Sequence, residues 1–491
     1  MYWLGIDVGT GGTRALLVDD RGKVRHAFTA DHEDMRMERP LWAEQRPENW
    51  WDAAQRAIRG VITSSGASGK DVQGIGLSGQ MHGLVLLDEE NAVIRPALIW
   101  CDQRSQPQVD AINASIGKET VLACIANPVL TGFTLPKLLW VRDNEPELFA
   151  RVAKVLLPKD YLRFQLTGDY ASDVSDASGT ALFDVVGRRW SREFVERLNL
   201  RMNFLPTVFE SHEVTGKISA AAAKATGLVE GTPVVAGAGD QAASAIGNGI
   251  VEPGLVSCTI GTSGVVFAHT KSPAYDPAGR VHTFCHAVRG AWHLMGVTQG
   301  AGLSLQWFRR NLAPGVDYDA LTAEAAGSAT GANGLYWLPY LMGERTPHLD
   351  ASARGGWVGL TARHTRADLI RAILEGVAFS QKDCFQIIEQ MGTRVESVRL
   401  SGGGARSALW RQIFADVFGK RVSTLETEEG SAYGAALLSM VGTGRYPSVV
   451  DLCRATIRET SAIDPRPAET AAYDRSHKIY QSLYPALKVL Q

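Results

Sequence analysis

GIDVGTGG (Gly5–Gly12) reads as an apolar strand running into a glycine-rich tip with Gly-Thr at its apex, and TIGTSG (Thr259–Gly264) repeats the pattern. The two apices, Gly9 and Gly261, lie 252 residues apart in a chain of 491, close to half its length. Glycines at a hairpin tip leave backbone N–H groups unshielded, which makes a nest suited to phosphate oxygens. One nest in each half predicts two related domains gripping one polyphosphate between them.

Length and composition agree with this. A chain of 491 residues is expected to form two or three domains, and 45% apolar with 21% charged residues is ordinary for a soluble globular protein. The net charge of −2 argues against a nucleic-acid binder, which would normally carry a basic surface. The start, MYWLGIDVGT, lacks the basic region and long apolar stretch of a signal peptide, and no apolar run approaches the ~20 residues of a membrane helix. The six cysteines are scattered without a CxxC pair, as expected of free thiols in a reducing cytoplasm.

Working outward from the first tip, Tyr2–Val8, Arg14–Asp19 and Val24–Ala30 read as an antiparallel meander with Asp20-Arg21-Gly22 as a turn. A helix is expected over Pro47–Ile62, strands over Val72–Leu77 and Leu84–Leu87, and helices over Pro136–Val141 and Lys159–Leu166. The pattern restarts with a strand at Pro233–Ala236 and a helix at Gln241–Ile246. Strands Leu255–Ile260 and Val265–Ala268 then flank the second tip. Arg366–Met391 has the spacing of a long amphipathic helix, Ser397–Leu400 that of a strand, and Leu409–Phe418 and Ser431–Met440 that of helices. Strand hairpins followed by helices, twice over, predict a pseudo-duplicated α/β protein with mixed sheets, divided near residue 245 into 1–245 and 246–491.

Several short motifs carry chemistry. Asp7 lies on the first phosphate turn, where an anion is a misfit unless a cation such as Mg²⁺ joins it to the phosphate. An ordinary hairpin with a solvated Asp fits this turn equally well in isolation; the second copy favours phosphate binding. No GxxxxGK[ST] occurs. The one GxGxxG, GIGLSG (Gly74–Gly79), runs on through QMHG into another strand instead of opening a helix, so the Rossmann reading fails. HTFCH (His282–His286) with His293 fits no common structural zinc spacing.

GAGDQAASAIG (Gly237–Gly247) places Asp240 at the mouth of a helix. It is either a plain N-cap or a carboxylate able to take a proton from a substrate hydroxyl. SGQMHG (Ser78–Gly83) and WCDQR (Trp100–Arg104) put polar residues at strand ends, where they line a sugar pocket or simply fill core and loop. SGGGARS (Ser401–Ser407) joins a strand to a helix and suits an adenosine or α-phosphate contact, or a tight turn.

DVGTGGTR, GAGDQ, TIGTSG and LSGGGARS in this order resemble the FGGY carbohydrate kinases, and the resemblance extends over essentially the whole chain. GFTLPKLLWVRDN (Gly132–Asn144) and GWVGLTARHTRADLIRAILEG (Gly356–Gly376) resemble that family's two signatures. SGQMHG, LLPKDYLRFQLTGDYASDVSDASGT (Leu156–Thr180), HTFCHAVRGAWHLMG (His282–Gly296) and LPYLMGERTPH (Leu338–His348) resemble its D-xylulose-phosphorylating branch, whereas glycerol kinases carry Arg-Glu in place of Met81-His82.

The resemblance implies two RNase-H-like, actin/hexokinase-type α/β domains with mixed sheets flanked by helices and a cleft between them. It implies ATP and Mg²⁺ as cofactors, a pentulose as acceptor, and a homodimer. By the same resemblance Asp240 is the general base and Asp7 organises Mg²⁺ through water. Thr10, Gly11, Gly261 and Thr262 cradle the phosphates, with Arg14 adding positive charge, and Gly403 and Gly404 pack on adenosine. Met81, His82, Asp240, Trp100, Asp102 and Gln241 bind the sugar. A kinase for ribulose or a pentitol, and a nucleotide-driven binding protein of the same superfamily, are the competing expectations. The two nests differ in their acids: the first carries Asp7, while the second has Ile260 before its Gly-Thr and no acid.

Overall fold

A computed structural model describes residues 1–427 and 429–490. Two seven-stranded mixed sheets organise it. The first runs in the order Val214–Lys217, Pro233–Val235, Val72–Gly79, Tyr2–Val8, Gly12–Asp19, Val24–Asp31, with the short Ala238–Gly239 also paired to Val72–Gly79. The second runs Glu459–Ile463, Arg421–Leu425, Val395–Ser401, Gly254–Ile260, Gly264–Thr270, Trp292–Thr298, His282–Cys285.

The duplication holds over six strands of each sheet, Ala238–Gly239 and His282–Cys285 being the unmatched seventh strands. In each sheet the strand entering the Gly-Thr tip pairs antiparallel with the strand leaving it and parallel with a strand from further along the chain. Each sheet also ends in an antiparallel edge strand beyond one more parallel neighbour. The register further aligns Thr259, rather than Ile260, with Asp7. Asp7 sits opposite Arg14 and Ser78, and Thr259 sits opposite Val265 and Ser401.

The predicted elements form where expected. Asp20-Arg21-Gly22 turns the first meander, with Gly22 at φ 77°. Pro47–Ser65 turns Trp50, Ala53, Ala54, Ala57, Ile58 and Val61 inward at helical spacing and ends on the left-handed Gly66. Gly74–Gly79 lies within the strand Val72–Gly79, as the rejected Rossmann match requires.

One helix crosses the halves. Gly430–Gly442, late in sequence, packs on the first sheet and on the helix Asp240–Gly247. Glycines permit the approach: a Cβ on Gly5 would lie 1.9 Å from Ala432 O, on Gly76 1.8 Å from Ala435 O, and on Gly434 1.8 Å from Ala243 O. The six cysteines are free. Among the described residues, no helix is long and apolar enough to cross a membrane.

Candidate active site

The strand ends of the first sheet gather the carboxylates. Ala238 and Gly239 pair with Ser78 and Gly79, and Asp7 pairs with Ser78 from the other side. Asp240 therefore leaves the sheet beside the first Gly-Thr tip, as the first residue of the helix Asp240–Gly247. Gly237 is needed there: it stands at φ 79°, and a Cβ would lie 2.2 Å from Leu77 O.

Both acids are raised, and Asp7 contributes to the shift of Asp240. Burial lifts Asp7 to about 6, against the lowering effects of Ser78 and Arg14. Asp7 Oδ1 is enclosed without a well-formed hydrogen bond, and so is the Ser78 hydroxyl beside it. Burial and then the charge of Asp7 raise Asp240 to about 7, while the Gln241 backbone and side-chain amides pull it down. Asp240 keeps a partly open face. Its surroundings still replace much of its water, since burial is the largest cause of its raised pKa. An acid near neutrality at a strand end is well matched to proton transfer at pH 7.

The first nest is held from below. Gln45 Nε2 donates to Thr10 O (2.7 Å), and Gln80 accepts from the Thr10 hydroxyl (3.3 Å) and donates to Gln45 (2.9 Å). Trp100 Nε1 donates to Thr10 Oγ1 at 3.0 Å although the ring is 41% exposed, so Trp100 links this tip to the neighbouring polar loop. Gly11 is exposed, with nothing near its missing side chain. Arg14 donates to Glu429 (2.7 Å from Nε) and to Thr29 (2.8 Å). Its guanidinium is thus engaged by Glu429 rather than free at the nest.

The second nest opens into a cavity of about 610 Å³ that brings together Gly261, Thr262, Gly403 and Gly404. Gly302 and Leu303, opening the helix Gly302–Leu312, donate their N–H groups to Gly261 O and Thr262 O. Gly404 must be glycine, because a Cβ would lie 2.4 Å from Ile260 Cγ2. Tyr318, Leu305 and Trp410 add apolar wall. A concave site of this size, part apolar and part bare backbone, suits a nucleoside with its phosphates.

Met81 and His82 form a third locus, with Met81 against Gly239, the residue before Asp240. A Cβ on Gly239 would meet the Met81 thioether at 2.9–3.1 Å, and one on Gly179 would meet His82 at 2.5 Å. His82 stands at φ 69°, a conformation rare for a side-chain-bearing residue. Its carbonyl accepts from Lys137 Nζ (3.0 Å) and Thr134 (3.2 Å), and its ring stacks on Phe133 with centroids 4.7 Å apart. Burial holds the imidazole pKa well below its usual value, so the ring is neutral. Nδ1 faces Gly179 O at 2.7 Å and must carry the proton, leaving Nε2 to accept from a hydroxyl. His282 and Phe284, from the second sheet, close the same aromatic group. Arg345, half-buried and without a side-chain hydrogen bond among the described residues, lies close enough to depress both histidines.

Asp102 does not join the site. It is fully buried, accepts from Ala43 N (2.6 Å), and is clasped by Arg104 through both oxygens. The expectation that it contacts the sugar is corrected on that ground: its oxygens are spent on anchoring the loop that carries Trp100. His282, His286 and His293 are buried, with pKa values lowered by burial. No group of three or more His, Cys, Asp or Glu side chains among the described residues could hold a metal. Phe133, Gly179, Gly239, Lys137 and Arg345 were not singled out in the sequence, since only the fold brings them to Met81-His82.

With a carboxylate pair, two bare-backbone nests and a hydroxyl-accepting histidine in place, the comparisons with known proteins agree. The sequence matches the FGGY family of carbohydrate kinases, its N-terminal domain over residues 2–247 and its C-terminal domain over residues 256–443. The chain belongs to this family. It is 40% identical to a xylulose kinase of Bacillus subtilis (strain 168) over 489 residues, covering 100% of this chain and 98% of that one. It is 40% identical to a xylulose kinase of Escherichia coli (strain K12), covering 99% of each. The crystal structure of a protein described as a xyloylose kinase from Brucella ovis superposes with a TM-score of 0.94 at 38% identity, covering all of both chains. The two-domain, mixed-sheet fold of this carbohydrate kinase is that of its relatives.

Proposed function

We propose that this carbohydrate kinase transfers the γ-phosphoryl group of ATP to the 5-hydroxyl of D-xylulose, giving D-xylulose 5-phosphate and ADP. The observation that carries the reading is Asp240: a carboxylate raised to about 7, beside Asp7 and against Met81-His82. The names of its relatives support the sugar.

In this reading His82 Nε2 accepts from a sugar hydroxyl, and Met81 covers the carbon chain. Gln241 steadies Asp240, and Trp100 closes the pocket over Thr10. Asp240 accepts the proton of the 5-hydroxyl as that oxygen bonds to the γ-phosphorus and the bond to ADP breaks. Thr10 and Gly11, with Gly261 and Thr262, hold the phosphates, and Gly403 and Gly404 pack on the adenosine. Arg14 must exchange Glu429 for phosphate to contribute.

Mg²⁺ fits the residues present. Asp7 Oδ1 is an enclosed oxygen without a partner, next to a second hard oxygen at Ser78. An ion that keeps waters and shares substrate phosphates needs only one or two carboxylates. Asp7 would hold it through water, and its charge would offset that of the phosphates. Residues 1–245 then act as the sugar and metal side and 246–491 as the nucleotide side, with Gly430–Gly442 lent back to the first. Closure would exclude water from the transfer. We place the enzyme in the cytoplasm, consistent with free thiols, and as a homodimer, which light scattering checks.

A coupled ADP-release assay over D-xylulose, ribulose and pentitols, with and without Mg²⁺, tests the reading. Turnover with another polyol but none with D-xylulose would overturn the substrate. ADP release that is independent of sugar and yields no phosphorylated product would favour a nucleotide-driven binding protein instead.

A further inference from the structure

Behind the reacting carboxylate lies a second group of charges that the mechanism above does not use. Lys159, Asp160, Asp173 and Asp176 are at most 1% exposed. Lys159 Nζ lies 2.5 Å from Asp160 Oδ1, 3.1 Å from Asp173 Oδ1 and 3.9 Å from Asp176 Oδ2. Burial would strip the lysine of its proton, but the three carboxylates together outweigh it and keep the ammonium charged. Asp176 has no hydrogen-bond partner on either oxygen. Burial raises its pKa well above its ordinary value, opposed by Lys159 and reinforced by Asp160, Asp173 and Asp240.

Such a cluster is a poor way to gain stability. Desolvating ions costs several kcal/mol each, and apolar packing of the same volume does as well or better. What it does accomplish is seen in its outward bonds, which converge on one short segment. Lys159 Nζ donates to Ala236 O at 3.2 Å. Asp173 Oδ2 accepts from the hydroxyls of Ser175 (2.6 Å) and Ser211 (3.0 Å). The Ser175 oxygen in turn accepts from Gly239 N at 3.2 Å. Gly237 N donates to Ser211 O at 2.9 Å. Residues 236–239 are the run that delivers Asp240, and each glycine in it lacks a side chain to lock its own backbone.

We propose that Ser175, fixed by Asp173 and through it by Lys159, is a positioning residue that sets the backbone immediately before Asp240 for phosphoryl transfer. The Ser175 hydroxyl is saturated by this task. It gives its proton to Asp173 and takes the Gly239 N–H on a lone pair. It is fully buried. Losing it leaves the Gly239 N–H without a partner and lets the carboxylate drift. A displacement of about 1 Å at a reacting group costs up to ~100-fold in rate. The inference rests on Asp240 being the general base.

The test pairs two serine-to-alanine variants of the full-length enzyme. Both remove one hydroxyl from the same Asp173 oxygen, but only Ser175 also holds Gly239. For Ser175→Ala we expect kcat with D-xylulose to fall tenfold or more, with the KM values for sugar and ATP within twofold of wild type. For Ser211→Ala we expect a smaller loss of melting temperature, since no backbone N–H is left unpaired, and kcat within twofold of wild type. Equal kcat losses in the two variants, or a Ser175→Ala enzyme with wild-type kcat, overturn the positioning role. Asp240→Asn separates this from the underlying reading. If that variant is inactive while Ser175→Ala keeps full kcat, only the present inference fails. If Asp240→Asn itself turns over normally, the base assignment fails and takes this inference with it.

Discussion

Asp240→Asn separates what the Asp240 carboxylate does for the reaction from what it does to the fold. In the folded protein burial and Asp7 raise this group from 3.8 to about 7. At ~1.36 kcal/mol per unit that is a ceiling of about 4 kcal/mol, and screening along its open face reduces it to about 2 kcal/mol. The sign follows from linkage. Below pH ~4 the acid is protonated in both folded and unfolded chains, and its titration costs nothing. Between pH ~4 and ~7 the unfolded chain ionises first, and above ~7 the full penalty falls on the fold. Asparagine cannot ionise, so we expect the variant to be more stable than wild type by about 2 kcal/mol at pH 8.5, or roughly 4 °C for a unit of about 200 residues. Little difference is expected at pH 4. Activity should move the other way: removal of a general base costs about 10²–10⁴-fold in kcat. In the wild type, kcat/KM should decline as pH falls through ~7 and the base takes up its proton. Scanning fluorimetry at the two pH values and coupled ADP release give both numbers. A variant less stable at pH 8.5 than wild type would refute the desolvation argument. One with turnover within tenfold of wild type would refute the base.

Other substitutions probe separate parts of the construction. In Gly434→Ala a methyl group would arrive 1.8 Å from Ala243 O, and we expect a loss of about 3 kcal/mol or more by denaturant unfolding, the upper range for overpacking. Wild-type stability would mean that the helices at Ala243 and Gly434 can slide apart. Trp100→Phe removes the indole donor to Thr10; at about 1 kcal/mol per hydrogen bond, KM for ATP should rise about fivefold in steady-state kinetics. An unchanged value would make that link incidental. Arg345→Met should raise KM for the sugar about tenfold and leave KM for ATP alone, because Arg345 neighbours His82 and His282. Equal rises in both would assign it to the fold.

Much of this architecture was legible because hairpins and amphipathic helices are local. Tyr2–Val8, Pro47–Ser65, Gly254–Ile260 and Arg366–Gln390 each announce themselves by alternation or helical spacing. Gly430–Gly442 is legible as a helix but not in where it goes, since it is apolar on every side. Only the glycines at 5, 76 and 434 record its docking on the first sheet. HTFCH (His282–His286) reads as buried polar residues rather than a zinc site, and its histidines and cysteine are buried, but the place of His282–Cys285 as an edge strand of the second sheet is a tertiary fact. Asp102 misled for a related reason. A carboxylate at a strand end reads alike whether it faces a substrate or an arginine, and only the fold places the Arg104 guanidinium on both of its oxygens.

The duplication itself argues where the chemistry must lie. Register pairs Asp7 and Ser78 in the first sheet with Thr259 and Ser401 in the second. Thr259 and Ser401 satisfy each other with a hydrogen bond of 3.0 Å. Asp7 Oδ1 and the Ser78 hydroxyl are enclosed without a well-formed hydrogen bond, close enough only for Ser78 to lower the Asp7 pKa. One backbone plan thus yields a finished position in one half and an unfinished one in the other. A buried polar group without a partner costs about 1–3 kcal/mol, more if charged. A fold that offers the satisfied alternative elsewhere in its own chain keeps the unsatisfied one only if something binds there. The charge of Asp7 also reaches Asp240 and raises it. A cation at Asp7 would therefore remove a like charge from beside the base and favour its ionised form. If Asp7 holds the metal and Asp240 is the base, as proposed, this unsatisfied member of a symmetric pair would tie metal occupancy to the readiness of the base.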